Sequence, residues 1–228
     1  MALDLASLPD VSALTVGILG GTGDQGRGLA YRLALAGQRV LIGSRSADRA
    51  AASAAELAEL SGGNVSGGDN ADVAGRSDVL IVAVPYAGHA ETLAGLADAL
   101  VGKIVVDCVN PLGFDKQGPY PLKVDEGSAA QQAAAILPES RVTAAFHHVS
   151  AELLADPAVT RMDLDILVLG DDREAVAVVQ ALAVRIPGMR GIHAGRLRNA
   201  GQVEALTANL IAMNKRYKAH SGIRITDV

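Results

Sequence analysis

Apolar residues fall along this chain in short unbroken runs, separated by stretches in which they recur every three or four positions. Val79 to Val84 is continuously apolar, as expected of a parallel strand covered on both faces. Thr15 to Leu19, Arg39 to Gly43, Ile104 to Val106, Val142 to Phe146 and Leu164 to Leu169 read the same way, with shorter strands near Asn64 to Ser66 and Met189 to His193. Helical spacing fills the gaps. Leu29, Leu33 and Ala36 pattern a helix over Gly28 to Ala36, and alanine-rich Ala47 to Leu60 and short Ala71 to Gly75 predict two more. His89, Leu93, Leu96 and Leu100 share one helical face, Ser128 to Leu137 forms a helix, and another runs from Asp171-Asp172 to Ile186 before Pro187-Gly188 breaks it. Val203, Leu206, Leu210, Met213 and Tyr217 mark one stripe of a closing helix. Asn110 to Glu126, rich in Gly and Pro, reads as an irregular stretch that shapes a pocket. Strands alternating with helices predict an α/β fold with a doubly wound parallel sheet.

At 228 residues the chain suffices for one α/β domain with a small appendage. Apolar residues make up 50% but aromatics only 3%, so the core is one of Ala, Val, Leu and Ile. A formal net charge of -5 argues against nucleic acid as a partner. The single Cys108 excludes an intrachain disulfide and a cysteine-rich metal site, and its expected role is packing in a reducing cytoplasm. The N-terminal residues lack the basic flank of a signal peptide, and no apolar run approaches bilayer length, so the expectation is a soluble cytoplasmic protein without a membrane partner.

The first strand runs straight into Gly20-Gly21-Thr22-Gly23-Asp24-Gln25-Gly26, in which Gly21, Gly23 and Gly26 satisfy G-x-G-x-x-G. The first glycine permits a tight turn, the second lets backbone approach a pyrophosphate, and the third lets helix pack on strand; the helix N-terminus then faces the phosphates. With 25 glycines in the chain the motif alone is weak, but its place between an apolar strand and an amphipathic helix indicates dinucleotide binding. NAD-binding folds end the second strand in a carboxylate that takes the ribose hydroxyls. This strand ends Gly43-Ser44-Arg45, with Arg49 a turn beyond, and guanidinium groups there pair with a 2'-phosphate. NADP is therefore the expected nucleotide.

Dehydrogenases acting on carbonyls need a group to move the accompanying proton. No Tyr-x-x-x-Lys pair is present, and the remaining candidates, His147-His148 and Lys215, read as pocket lining and a solvated helix charge. That points to an acceptor taking hydride directly, such as a flavin-like ring. The glycine turn with Gly43-Ser44-Arg45, followed in order by Val84-Pro85-Tyr86, His147-His148-Val149, Val203-Glu204-Ala205-Leu206-Thr207 and Ser221-Gly222-Ile223, resembles the family of NADPH-dependent reductases of the deazaflavin coenzyme F420. The chain departs from the family pattern at Arg49, where the family carries Lys, and at His148-Val149-Ser150, where it can show Thr-Ile-Pro.

The resemblance implies a Rossmann domain over 1–150 and a smaller C-terminal α-rich portion over 151–228 that completes the deazaflavin cleft. It also implies reversible hydride transfer between NADP and coenzyme F420, by a homodimer. On the matching positions, Gly21, Thr22, Gly23, Asp24, Gln25 and Gly26 would hold the pyrophosphate, and Ser44, Arg45 and Arg49 the 2'-phosphate. Val84 and Pro85 would lie along the nicotinamide, and Ala151, counted with the nucleotide-binding residues, would also border the deazaflavin. His147, Val149, Ser150, Ser221, Gly222 and Ile223 would enclose the deazaflavin. No acid, base or metal is assigned, because the expected contribution is positioning of the two reacting carbons. Arg196, Arg198, Lys215, Arg216 and Lys218 are candidates for the coenzyme's anionic tail. An NADPH-dependent imine or keto-acid reductase and a non-catalytic NADP-sensing protein are the alternative readings.

Overall fold

The computed structural model describes residues 4–228. Strand β1 (Thr15–Leu19), buried at every position, leads through the glycine turn into α1 (Asp24–Leu35). Then come β2 (Arg39–Ser44), α2 (Ala47–Ser61), β3 (Val65–Asp69), α3 (Asn70–Arg76), β4 (Val79–Val82), α4 (His89–Ala94), α5 (Ala97–Leu100) and β5 (Ile104–Asp107). A hairpin of β6 (Leu112–Asp115) and β7 (Gly118–Pro121) follows, then α6 (Ala129–Ile136), β8 (Arg141–Ala144), α7 (Ala151–Ala155), β9 (Asp165–Gly170), α8 (Arg173–Val184), β10 (Arg190–His193) and α9 (Ala200–Tyr217).

The main sheet has eight strands in the order β10-β9-β8-β5-β4-β1-β2-β3. From β3 to β8 every neighbouring pair is parallel. From β1 the chain first builds outward to β3 and then crosses to β4 on the other side, so the order reverses at β1. Ligands of open α/β sheets lie at the carboxyl ends beside such a reversal. Each sheet face buries its own core. One holds Ile18, Leu29, Leu33, Leu57, Val179 and Leu182, and the other Leu80, Leu93, Leu100, Ala133 and Val203. Small residues let the helices sit close: a Cβ on Gly67 of β3 would lie 2.3 Å from the backbone of Ala50 in α2.

The Rossmann-type arrangement and nearly every predicted element are present, with five differences. First, α1 starts at Asp24, not Gly28, because packing overrides the low helix propensity of Gly26 and Gly28. Second, β4 stops at Val82, before the apolar run ends. Third, the His89–Leu100 helix is broken between Ala94 and Ala97, although His89, Leu93, Leu96 and Leu100 are all buried as their spacing demands. Fourth, the irregular stretch contains the β6–β7 hairpin, whose strands pair antiparallel from Leu112–Pro121 to Asp115–Gly118. Fifth, β9 runs antiparallel to β8, with Thr143 opposite Gly170. The link between them, with α7, packs along α1, and β9 starts at the carboxyl end of β8. A continuous apolar run carries no sign of strand direction, and the sequence could not show this. The stripe on α9 is buried only over its first half, with Met213 38% and Tyr217 73% exposed.

Candidate functional site

The turn after β1 is made by glycines, with the duties placed differently from the motif's usual division. The left-handed conformation falls on Gly20, at φ +73°. Gly21 is needed for space: a Cβ there would lie 2.4 Å from Ile42 Cγ2. Gly23 is the N-cap of α1 and offers no side chain to the helix end. Gly26 fits only because a Cβ would come within 2.5 Å of the Gly20 carbonyl oxygen. Arg27 N–H is the first in the helix to find a backbone acceptor, at Gly23 O (2.8 Å). The N–H groups of Asp24, Gln25 and Gly26 have no protein acceptor among the described residues, which is the arrangement an anion at a helix N-terminus requires. Thr22 is half-buried beside them.

At the end of β2, Ser44 is buried and its Oγ accepts from Ser46 N (3.3 Å). Ser46 in turn caps α2, accepting from Arg49 N (3.4 Å). Arg45 and Arg49 are exposed, and neither guanidinium has an acidic partner among the described residues. Arg27, by contrast, is tied to Ser53 (2.8 Å) and Glu56 (2.9 Å). Two free cations therefore stand where a dinucleotide-binding sheet places the adenosine ribose. Across the reversal, half-buried Val84 and exposed Pro85 precede a 3-10 turn over Tyr86–Gly88.

The segment after β8 is held from three directions. Phe146 is fully buried in a left-handed conformation, φ 64°, and its carbonyl accepts from Gln25 Nε2 (3.1 Å). The Gln25 amide is thus engaged by protein, leaving its backbone N–H to face a phosphate. The next carbonyl, of His147, accepts from Asn110 Nδ2 (2.8 Å) and Thr207 Oγ1 (3.2 Å). The His147 imidazole is buried with no hydrogen-bond partner at either nitrogen; burial, then the neighbouring His148, push its pKa down to about 3. His148 accepts weakly from Leu167 N (3.5 Å), and burial lowers it to about 4. Val149 is buried, while Ser150 caps α7 through Leu153 N (3.4 Å) and meets His220 Nδ1 at 3.3 Å. Ala151 opens α7 beside Gly28. Beyond His220, Ser221 N–H donates to Asn214 Oδ1 (2.6 Å), Gly222 lies by Leu164, and the Ile223 carbonyl accepts from Asp165 N (2.7 Å). The predicted second-ring residues thus form two neighbouring stretches joined at Ser150 and His220.

Several polar residues here escaped the sequence reading. Thr207 ends a quoted motif and Asn110 opens the irregular stretch after β5, but nothing in their spacing reveals that both hold one carbonyl. Glu204, 2% exposed, accepts from Ala129 N (3.0 Å) and Ala130 N (3.2 Å) at the start of α6, and burial pushes it up to about 7. His89 and Asp107, both fully buried, meet at 2.6 Å. Burial opposes charge on His89, but Asp107 and Gln132 raise its pKa on balance. Cys108 is buried with its thiol on Val82 O (3.0 Å), and burial pushes it up, so it packs and does not react. Lys215 is exposed near the end of α9. Of the basic tail candidates, Arg196 pairs with Asp171 (3.3 Å) and Arg198 is exposed. A hollow of about 390 Å³ between Arg32 and Arg185 gathers none of the predicted site residues.

Comparison with known proteins bears on what this edge serves. Residues 15–111 match the family described as NADP oxidoreductase coenzyme F420-dependent. The chain is 39% identical to the F420-dependent NADP reductase of Methanothermobacter thermautotrophicus, over 96% of this chain and 97% of that one. It is 40% identical to the enzyme of the same name from Methanocaldococcus jannaschii, over 94% and 99%. A solved structure from Arthrobacter sp. FB24, titled as a candidate F420-dependent NADP-reductase, superposes with a TM-score of 0.78 at 28% identity, covering 94% of this chain and all of that one. With the glycine turn, the free arginines and the segment after β8 all lying inside these matches, the chain belongs to the family of F420-dependent NADP reductases.

Proposed function

We propose that the chain transfers hydride reversibly between NADP(H) and coenzyme F420, with both coenzymes bound along the carboxyl edge of the sheet. The observation that carries this reading is the pairing of an open helix N-terminus with two unpartnered guanidinium groups at the end of β2. A phosphate-bearing dinucleotide suits both, and the glycine contacts leave backbone where a Cβ would block it. In this reading the N–H groups of residues 24–26 take the pyrophosphate, with Asp24 and Gln25 acting through backbone and not side chain. Ser44, Arg45 and Arg49 take the 2'-phosphate. Val84 and Pro85 flank the nicotinamide, and His147, Val149, Ser150, Ala151 and the Ser221–Ile223 stretch border the deazaflavin.

The bound coenzymes supply the chemistry, a hydride passing directly between C4 of the nicotinamide and C5 of the deazaflavin. The chain's own part is to orient two flat rings and to keep water out. His147 and His148, both held neutral well below physiological pH, are poor bases there, which fits a step needing no protein acid or base. Residues 1–150 then form the nucleotide-binding part, and 151–228 complete the second site. Exposed Phe114, Tyr120 and Leu122 on the hairpin segment, with Met213 and Tyr217 on α9, suit the buried face of a homodimer. Sedimentation at micromolar concentration checks that assembly. No helix among the described residues is long and apolar enough to cross a membrane, and a buried reduced cysteine accords with a cytoplasmic setting.

The test is to mix the protein with NADPH and oxidised coenzyme F420 and follow the deazaflavin absorbance. Bleaching at a rate proportional to enzyme is expected. NADPH binding without bleaching would overturn the reading and leave an imine or keto-acid reductase or a sensor, which a panel of imines and keto acids separates.

A further inference from the structure

Gln25, Gly28 and Arg32 stand three and four residues apart, so they share one face of α1. All three carry the segment that follows β8. Gln25 Nε2 donates to the Phe146 carbonyl at 3.1 Å. Gly28 lies so close to α7 that a Cβ would be 2.6 Å from Leu154 Cβ. Arg32, 3% exposed, donates to the carbonyls of Leu154 (2.7 Å), Val159 (2.5 Å), Leu153 (2.6 Å) and Asp156 (2.7 Å). Residues 146–159 are therefore fastened to the nucleotide helix along most of its length.

The contact nearest the site is the most telling one. Phe146 is bulky, fully buried and left-handed, a conformation that persists only where the surroundings hold it. Asn110 and Thr207 hold the following carbonyl, from the end of β5 and from α9. Gln25 alone among these three ties the turn to the element whose first N–H groups are open to a phosphate.

We propose that Gln25 is a positioning residue that couples the two coenzyme sites: its backbone belongs to the phosphate-facing first turn of α1, and its side chain fixes the turn bordering the deazaflavin. The inference rests on the function proposed above and deepens it. A dinucleotide drawn onto the first turn of α1 steadies Gln25, and Gln25 steadies Phe146 and His147. The second coenzyme then meets a turn already ordered, and pays less to bind. Coupling between two binding sites is reciprocal, so each coenzyme raises the affinity of the other by the same factor. One neutral hydrogen bond sets the scale at about twofold to tenfold.

Calorimetric titration of oxidised coenzyme F420, with and without saturating NADP+, measures the factor, and the reverse titration must return the same value. In Gln25→Leu, which keeps the backbone N–H and loses the donor, NADP+ alone should bind within about twofold of the parent while the factor falls to about one. Gln25→Met serves the same purpose should Leu disturb the helix. In Asn110→Ala, which loosens the same turn from outside the nucleotide helix, F420 should weaken equally in both conditions with the factor kept. An unchanged factor in both Gln25 variants, or a parent that binds both coenzymes with no coupling, overturns the proposal alone. A parent that fails to bind F420 even with NADP+ present overturns the functional reading, and the proposal with it.

Discussion

The buried histidines after β8 make a prediction about acid that can be worked through from the structure. In the folded chain His147 is held neutral down to about 3 and His148 to about 4, whereas an unfolded imidazole takes a proton near 6.5. Both folded values lie below the unfolded one, so the stability they contribute is present above pH 6.5 and is lost as pH falls. Between pH 6 and 4.5 these two imidazoles hold between one and two more protons in the unfolded chain, which costs about 2 kcal/mol of stability per pH unit. Glu204 works the other way. Its folded value, about 7, lies above the unfolded 4.5, so the folded chain takes up a proton first and gains about 1 kcal/mol per unit as pH falls through that window. The net loss from these three groups is about 1 kcal/mol per unit, or roughly 2 kcal/mol from pH 6 to 4.5. Urea unfolding at half-unit steps measures this through the extrapolated stability. Glu204→Gln should steepen the loss about twofold, and His147→Leu should nearly flatten it. The double variant His147→Leu/His148→Gln should reverse it, gaining stability on mild acidification. A double variant that loses stability as steeply as the parent would show that the imidazoles are not buried and neutral, and the reasoning would fail.

Arg45→Asp should remove a cation with no protein partner and place a carboxylate beside the ribose. The NADPH-to-NADH affinity ratio should fall about tenfold to a hundredfold, read from KM values for the two nucleotides. Gly26→Ala pushes a Cβ to within 2.5 Å of the Gly20 carbonyl oxygen, where only backbone could yield. NADPH affinity should drop at least about tenfold by fluorescence titration, with a lower unfolding midpoint. Arg32→Ala strips one buried and three part-buried carbonyls of their donor and should destabilise the chain by about 2 to 3 kcal/mol in urea unfolding.

How much of this was legible in the sequence depends on the range of the interaction. The strands show as apolar runs because burial on both faces leaves no polar alternation. The nucleotide end of the site shows because turn, helix start and strand end lie within about thirty residues of one another, where local chemistry dictates conformation. Contacts between distant parts of the chain left no such trace. Gln25 and Phe146 are 121 positions apart, and Asn110 and Thr207 are 97 apart. No periodicity links them. The split of α4 from α5 went unseen for a different reason: the apolar spacing is satisfied on either side of the break, so burial alone does not require one continuous helix. Gly21 and Gly26 leave no room for a Cβ, but the positive φ belongs to Gly20, which lies outside the three spaced glycines of the motif, and the Ile42 side chain and the Gly20 carbonyl set which positions must stay small.

The polar groups near the carboxyl edge share a property that bears on the chemistry proposed for it. Gln132 Nε2 donates to Glu126 (3.2 Å), which leaves its Oε1 facing His89 Nδ1 (3.1 Å), so that nitrogen donates. The other ring nitrogen faces Asp107 at 2.6 Å, and both residues are sealed from solvent. Glu204 is satisfied by two backbone N–H groups. His147 and His148 are neutral for the opposite reason, burial without compensating charge. Each of these buried groups is either locked to a partner or held away from its titrating range. Carbonyl reduction would need one of them free and exposed. Transfer between two rings that carry their own redox chemistry needs none.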